Sequence, residues 1–441
     1  MTTPQRAGRF RFTLTQRILL GLALGCLIGW LFPSFATSLK PFGTMFVRLI
    51  RMVVAPLLLT TLVAGIAVAG GKAAGRLGLK AIVWFVLATT VALCIGLVTA
   101  NLVNPGIGVK PPGAHGANTL AKTKTFLEFL TDAIPTSILD AMSRNDMLQI
   151  VVFSVFLGLA ISAAGSKADP LKHLLEAGAE VMFKMVGFVM WFAPFGVGAA
   201  IAATLGASGL TVLLPLVKCI VALYAALIVF FILLFTATKI LTRVHMSTFL
   251  GAIREPAVIA FTTASSEAAL PRSMQILEQL GIPRRIVGFV VPTGYAFNLD
   301  GSTLYLSLAI VFVAQVAGVD MTLGQQVEAM LILWVSSKGL AGVPRAALVV
   351  LFNVLPDLHL SDEGAWLLFG IDALMDMGRT CVNVVGNCVA TVIVGVWERA
   401  IPDDAPIFHP RAAPASELPT AEVVADRVGA DDSQSGSRTG T

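Results

Sequence analysis

Four charged side chains sit deep in apolar stretches of the second half of this 441-residue chain: Asp300, Asp372, Asp376 and Arg379. At the centre of a membrane helix each would cost about 2.5–3.5 kcal/mol, and four together roughly 10 kcal/mol. That rivals the stability of a whole domain, about 5–15 kcal/mol. Such charges must face a polar interior and interact with something. Asp372, Asp376, Arg379 and Asn383 follow one another at spacings of 4, 3 and 4, so they line one helical face. Thr380 is adjacent and Asn387 continues the stripe. An aspartate beside an arginine suits an amino acid, the carboxylate pairing with the ammonium and the guanidinium forking onto a carboxylate. The alternative at this spacing is an internal Asp376–Arg379 salt bridge.

A second polar group interrupts the apolar run before it. The segment 293–302 reads TGYAFNLDGS, and its glycines and Asn-x-Asp-Gly suggest local unwinding. Freed carbonyls with the Asp300 carboxylate are hard oxygen ligands, suited to a small cation. The alternative is an Asp-Gly turn at the membrane edge, against which apolar sequence continues on both sides. Segment 262–271, TTASSEAALP, offers hydroxyls and backbone N–H groups for an anion, or simply a serine N-cap. Segment 336–345, SSKGLAGVPR, looks like an equivalent tip whose glycines would allow a flexible gate, with Lys338 otherwise snorkelling to the surface.

The elements that carry these groups are membrane helices. The chain is 56% hydrophobic and 13% charged, against about 45–50% and about 25% in soluble domains. A soluble enzyme, a nucleic-acid binder and a disordered hub are thereby excluded, and the net charge of +5 speaks to orientation rather than to partners. The five cysteines are scattered through apolar stretches and read as buried hydrophobes; the five histidines are equally dispersed, so no metal cluster is expected. Arg6, Arg9, Arg11 and Arg17 precede a first apolar run, 18–39, with no small-residue cleavage site, which reads as a retained helix. Uncharged runs follow at 81–109, 147–166, 185–217, 219–238 and 301–319; with 43–70 and 364–398 they make eight spans.

Two further apolar segments, 246–280 and 323–356, are placed by charge. Lys72, Arg76 and Lys80, then Lys167 and Lys172, then Lys239 and Arg243 fall on one side, with the N-terminus, which the positive-inside rule makes cytoplasmic. Arg272, Arg284 and Arg285 put both ends of 246–280 inside. Acidic flanks, Asp320, Glu328, Asp357, Asp362 and Glu363, put both ends of 323–356 outside. Loop 104–125, with Lys110, Lys122 and Lys124, runs against the pattern. The expected fold is therefore an all-α polytopic membrane protein of eight transmembrane helices plus two re-entrant helical hairpins, each followed by a polar helix, as inverted repeats around a midplane site. The tail from 401, with seven acidic and three basic residues, is expected to be disordered and cytoplasmic.

Four motifs in order, SSEAALP at 265–271, NLDG at 298–301, SSKGLAGVP at 336–344 and DMGRTCVNVVGN at 376–387, resemble the dicarboxylate/amino acid:cation symporters over roughly 10–400. The resemblance implies a homotrimer and an elevator-type transporter. It implies a scaffold of helices 1–2 (1–75) and 4–5 (111–207). The moving part would be helix 3 (76–110), helix 6 (208–243) and a core of hairpins and helices 7–8 (244–400). It implies that Arg379 binds the substrate's side-chain carboxylate and Asp376 its amino group, with Thr380, Asn383, Ser266, Ser302, Ala341 and Gly342 completing the pocket. Relatives for neutral amino acids replace the arginine, and dicarboxylate carriers lack the aspartate. Glutamate or aspartate is thus the leading substrate, with C4-dicarboxylates the alternative.

For cations the resemblance implies Gly294, Asn298, Asp300, Asn383 and Asn387, with sodium at Asn298, Asp300 and Asn383. Sodium-coupled relatives carry Asp where this chain has Asn387, and Tyr, Thr and Ser where it has Phe85, Ala88 and Thr89. Proton coupling is favoured, with Glu267 or an aspartate as carrier. A second pocket arginine usual in the family is replaced by Ala264 and Ala373. No cofactor is expected. A hydrolase reading fails because Ser265 and Ser266 have no matching histidine base, and the aspartate–arginine pocket favours a carrier over a channel. The expected place is the bacterial inner membrane, with both termini cytoplasmic.

Overall fold

The computed structural model describes residues 14–68, 72–109, 131, 134–337, 346–356, 358 and 360–410, and every regular element among them is helical. The first half holds α1 (Leu14–Leu31), α2 (Pro33–Ser38), α3 (Lys40–Val68), α4 (Lys72–Val103) and α5 (Ile138–Arg144). It continues with α6 (Met147–Ala164), α7 (Asp169–Met190), α8 (Ala193–Ser208) and α9 (Leu213–Leu241). The second half holds α10 (Met246–Thr263), α11 (Ser266–Gln279), α12 (Arg284–Phe297) and α13 (Asp300–Val316). It ends with α14 (Leu323–Ser336), α15 (Ala346–Val354) and α16 (Glu363–Trp397).

Six described stretches are long and apolar enough to cross a membrane: 33–64, 76–103, 149–190, 210–241, 284–316 and 363–397. Two shorter apolar helices, Gln16–Leu31 and Ala193–Ser208, accompany them. The boundaries differ from the uncharged runs where proline intervenes. The run 18–39 breaks at Phe32 (φ −131°, ψ 62°), because Pro33 lacks an N–H and pushes its predecessor out of the helical region. The run 185–217 is divided among α7, α8 and α9, with Pro194 in the first turn of α8 and Gly209 at φ 70° after its end. Lys172, expected in a loop, lies within α7.

Small residues set how closely the first helices approach. Gly21, Gly25 and Gly29, one turn apart on α1, face Pro194, Gly198 and Leu205 of α8, and a methyl group at Gly25 would collide with the Gly198 carbonyl. This is the close backbone packing that membrane helices use in place of a hydrophobic driving force.

The core sits around α16. Its 35 residues are buried for most of their length, and α8 to α13 all pack on it. An all-round buried helix is what 364–398 requires, since its apolar and charged positions together leave no lipid-like face. Segment 246–280 forms a helical hairpin. Ala264 in the left-handed region (φ 49°) reverses the chain, and the Ser265 hydroxyl caps α11 by accepting from Ala268 N–H at 3.3 Å. The N-cap reading of this serine is thus realised.

Both legs of the hairpin return to one base. His245 N–H donates to the Ile407 carbonyl at 2.9 Å, and Ile407 N–H donates to the Leu280 carbonyl at 3.3 Å. Ile401, Ala405 and Ile407 are buried there. The expectation of a structureless tail from 401 therefore fails for its first ten residues, whose apolar side chains find the hairpin base. Residues 411–441 lie outside the described residues. In segment 323–356, α14 and α15 are described, whereas the tip at 338–345, with Lys338, Ala341 and Gly342, is not.

Candidate functional site

The chain between α12 and α13 leaves helical geometry at Asn298 (φ −123°, ψ 62°) and Leu299 (φ −100°, ψ 61°). The Asn-x-Asp-Gly interruption is therefore a helix break inside the protein, with Asn298 and Asp300 both 0% exposed, and not a turn at an edge. Asp300 opens α13, where a carboxylate meets the positive end of the helix dipole.

Opposite this break runs the polar stripe of α16. Asp372, Asp376, Arg379, Asn383 and Asn387 are all buried, as periodicity requires of residues on one inward face. Two clusters form. In the first, Arg379 Nη2 lies 2.7 Å from Asp376 Oδ1 and 2.8 Å from Asp372 Oδ1. The guanidinium carbon stands 4.0 Å from the ring centroid of Tyr305, whose quadrupole attracts the cation. Arg379 Nε and Nη1 have no hydrogen-bond partner among the described residues. Donors of this kind fork onto a carboxylate in general.

In the second cluster, Asn383 clamps the start of α13. Its Oδ1 accepts from Gly301 N–H at 2.8 Å and Ser302 N–H at 3.3 Å, and its Nδ2 donates to Ser302 Oγ at 3.0 Å. These are N–H groups of a first helical turn that have no intrahelical partner. The side-chain oxygen is thereby committed, which leaves the backbone carbonyl as the oxygen Asn383 could offer a cation. Gly301 permits the approach, because a methyl group there would strike the Arg379 carbonyl.

The cation candidates meet one turn further along. A methyl group on Gly386 would lie 3.0 Å from Asp300 Oδ2 and 3.4 Å from Asn298 Nδ2, and one on Gly294 would collide with the Asn387 side chain. Gly294, Asn298, Asp300 and Asn387 thus surround one buried region. The side-chain atoms of Asn298 and Asn387 have no hydrogen-bond partner there. Buried amides without partners are costly. Two amide oxygens and a carboxylate match a small hard cation in chemistry. Phe85, Ala88 and Thr89 are buried on α4, which also packs on α16.

Other expected residues are less closely joined. Thr380 and Ser266 are buried at 5% and 4% exposure, but neither hydroxyl is hydrogen-bonded to Asp376 or Arg379. Ser266 begins α11, which packs on α16. Glu267 beside it is exposed. Ala341 and Gly342 lie outside the described residues. Sequence reasoning missed Tyr305 altogether and left Asp372 without a partner. A signal existed. The chain has three tyrosines, and all three sit against α16. Tyr224 donates to the Leu374 carbonyl at 2.7 Å, Tyr295 lies beside Cys388, and Tyr305 covers Arg379.

An all-helical chain with several membrane-length apolar helices, folded around a buried charged helix, is a polytopic membrane protein. Residues 14–397 match the sodium:dicarboxylate symporter family, and the chain belongs to that family. It is 40% identical over 391 residues to the proton/glutamate-aspartate symporter of Bacillus subtilis, covering 87% of this chain and 94% of the relative. It is 39% identical over 397 residues to the proton/sodium-glutamate symport protein of Geobacillus stearothermophilus, with the same coverage. The C4-dicarboxylate transport protein of B. subtilis is 36% identical over 396 residues, covering 87% of this chain and 93% of the relative.

Proposed function

We propose that this protein is a secondary active symporter that imports L-glutamate or L-aspartate together with cations, protons being favoured. The observation that carries this reading is the buried Asp376–Arg379 pair, 2.7 Å apart, beside the Asn383 clamp on the start of α13. Arg379 receives the side-chain carboxylate through its open donors, and Asp376 turns to the amino group. Thr380, Asn383, Ser302 and Ser266 line the pocket, and Ala341 and Gly342 of the second hairpin close it. Proton coupling is supported by Asn387, an amide where a sodium site would gain from a carboxylate. Gly294, Asn298, Asp300 and Asn387, with the Asn383 carbonyl, form the cation region. The protein works as a homotrimer in the bacterial inner membrane, both termini cytoplasmic. The core 244–400, with 76–110 and 208–243, moves as an elevator against 1–75 and 111–207.

The test is uptake of labelled L-glutamate by purified protein in liposomes, with proton and sodium gradients imposed separately. Uptake driven by protons alone, blocked by L-aspartate and not by succinate, is expected. A sodium requirement would overturn the proton assignment. One observation favours a second reading. Asp376 is paired with Arg379 as an internal ion pair, an arrangement that asks for no amine on the substrate, and a C4-dicarboxylate has none. Succinate uptake without glutamate uptake would establish that reading instead.

A further inference from the structure

We infer that Asp372 takes up the coupling proton, and that the arrival of an acidic substrate at Arg379 is what makes it do so. This rests on the acidic-substrate reading above. Asp372 is 0% exposed and shares a single guanidinium nitrogen of Arg379 with Asp376, at 2.8 and 2.7 Å. The three formal charges sum to −1, on side chains that are all buried.

Among the described residues, the structure places these titratable groups beside the cluster. From α13 comes Tyr305, stacked on the guanidinium. From α9 come Cys219, beside Tyr305, and Tyr224, whose hydroxyl is spent on the Leu374 carbonyl. From α16 itself comes Cys381. None of these carries positive charge, so Arg379 is the cation of this cluster among the described residues.

An acidic amino acid brings two carboxylates and one ammonium, a net −1. Its binding would leave −2 around one guanidinium. Like charges a few ångströms apart in a dry site do not all stay ionised. One proton restores the original −1. It belongs on Asp372 rather than Asp376 for two reasons. Asp376 must stay charged to hold the ammonium. Asp372 lies one turn before Asp376 on α16, further from the Asn383–Ser302 end of the stripe, and is 0% exposed where Asp376 is 7%. Neutralising Asp372 also loosens its hold on Nη2, which gives the guanidinium to the substrate. The proton enters with the substrate on one side of the membrane and leaves with it on the other, with no bond to carbon changed.

The experiment is calorimetric titration of the purified full-length protein with L-glutamate, in two buffers of different ionisation enthalpy, across a pH series. Wild type is expected to take up about one proton per glutamate, its affinity falling about tenfold for each pH unit in the alkaline range. Asp372→Asn copies the protonated carboxyl. It is expected to bind glutamate without proton uptake and with a flat pH profile. In liposomes it should exchange glutamate but not accumulate it on a proton gradient. Undiminished proton uptake by D372N, or loss of glutamate binding by monodisperse D372N, overturns the inference. Should D372N fail to fold, wild type still decides the matter. Its infrared difference spectrum on adding glutamate must gain a protonated-carboxyl band, and its absence overturns the proposal. Wild type that binds glutamate with no proton uptake overturns this inference alone. Wild type that binds neither glutamate nor succinate overturns the reading beneath it.

Discussion

Arg379 is held by opposing charges rather than by hydrogen bonds to the backbone. Breaking a buried ion pair by removing one partner costs about 3–5 kcal/mol, because the other charge is left in low dielectric. Here Arg379→Ala would strand two carboxylates, Asp372 and Asp376. The expected outcome is loss of acidic-substrate uptake together with a large fall in thermal stability in detergent. Arg379→Lys should keep part of the stability and little of the transport, since an ammonium is a point charge that cannot fork onto a carboxylate or stack on Tyr305. Asn387 is the complementary case. Its side-chain atoms have no hydrogen-bond partner and it adjoins Gly294. Asn387→Asp adds a carboxylate to the oxygen set of Asn298 and Asp300. Glutamate uptake should then gain sodium dependence relative to wild type, read as uptake against external sodium at fixed pH.

At the scale of elements, the contact between α13 and α16 depends on glycine. Gly301 lies against the Arg379 backbone, so Gly301→Ala forces the two helices apart. Overpacking of this kind costs about 1–3 kcal/mol. It also pulls the Gly301 N–H from Asn383, so weaker glutamate affinity should accompany the lower melting temperature. The far end of α16 is tied differently. Lys80 Nζ donates to the Trp397 carbonyl at 2.7 Å and meets Glu398 at 2.7 Å, with Arg76 2.9 Å from the same carboxylate. A cation at a helix C-terminus complements its dipole. The Lys80 hydrogen bond holds the Glu398 carboxyl below its usual range; burial opposes it, and Arg76 adds to the lowering. A carboxyl lowered in this way stabilises the fold above its unfolded pKa and loses that contribution as pH falls through its folded value. Wild type should therefore melt slightly above Glu398→Gln at neutral pH, by less than about 1 kcal/mol because Arg76 and Lys80 reach the carboxylate from the surface, where solvent and salt screen the pairs. The two should converge in acid, below about pH 4.

For the whole molecule, the segment after α16 closes the structure. Ile401, Ala405 and Ile407 are buried against the hairpin base, and Thr248 donates to the His409 carbonyl at 2.6 Å. A chain ending at residue 410 keeps the contacts described for this segment and is the reference for the truncation. A chain ending at 400 should lose several degrees of thermal stability, since three apolar side chains and the bonds at Ile407 go with it; matched melting curves in detergent would test this. The elevator reading requires α16 and the hairpin to travel together, and this strap joins them through backbone as well as side chains.

The local patterns of the chain were enough to determine several things. Apolar runs mark the helices, because a membrane-length helix needs many consecutive apolar residues. The spacing of Asp372, Asp376, Arg379, Asn383 and Asn387 put them on one face, because helical period is a property of the backbone. The Asn-x-Asp-Gly break was legible because helix breakers act on their own neighbours. Tertiary structure alone decided what the stripe meets. Asn383 and Ser302 are 81 positions apart, and the Gly301 and Ser302 N–H groups take up the side-chain oxygen of a residue that the resemblance assigned to a cation. The convergence of two aspartates on one nitrogen and the seat of Tyr305 follow from rotamers and from packing between separate helices. The burial of 401–407 likewise follows from an apolar surface elsewhere in the fold, which no local composition reveals.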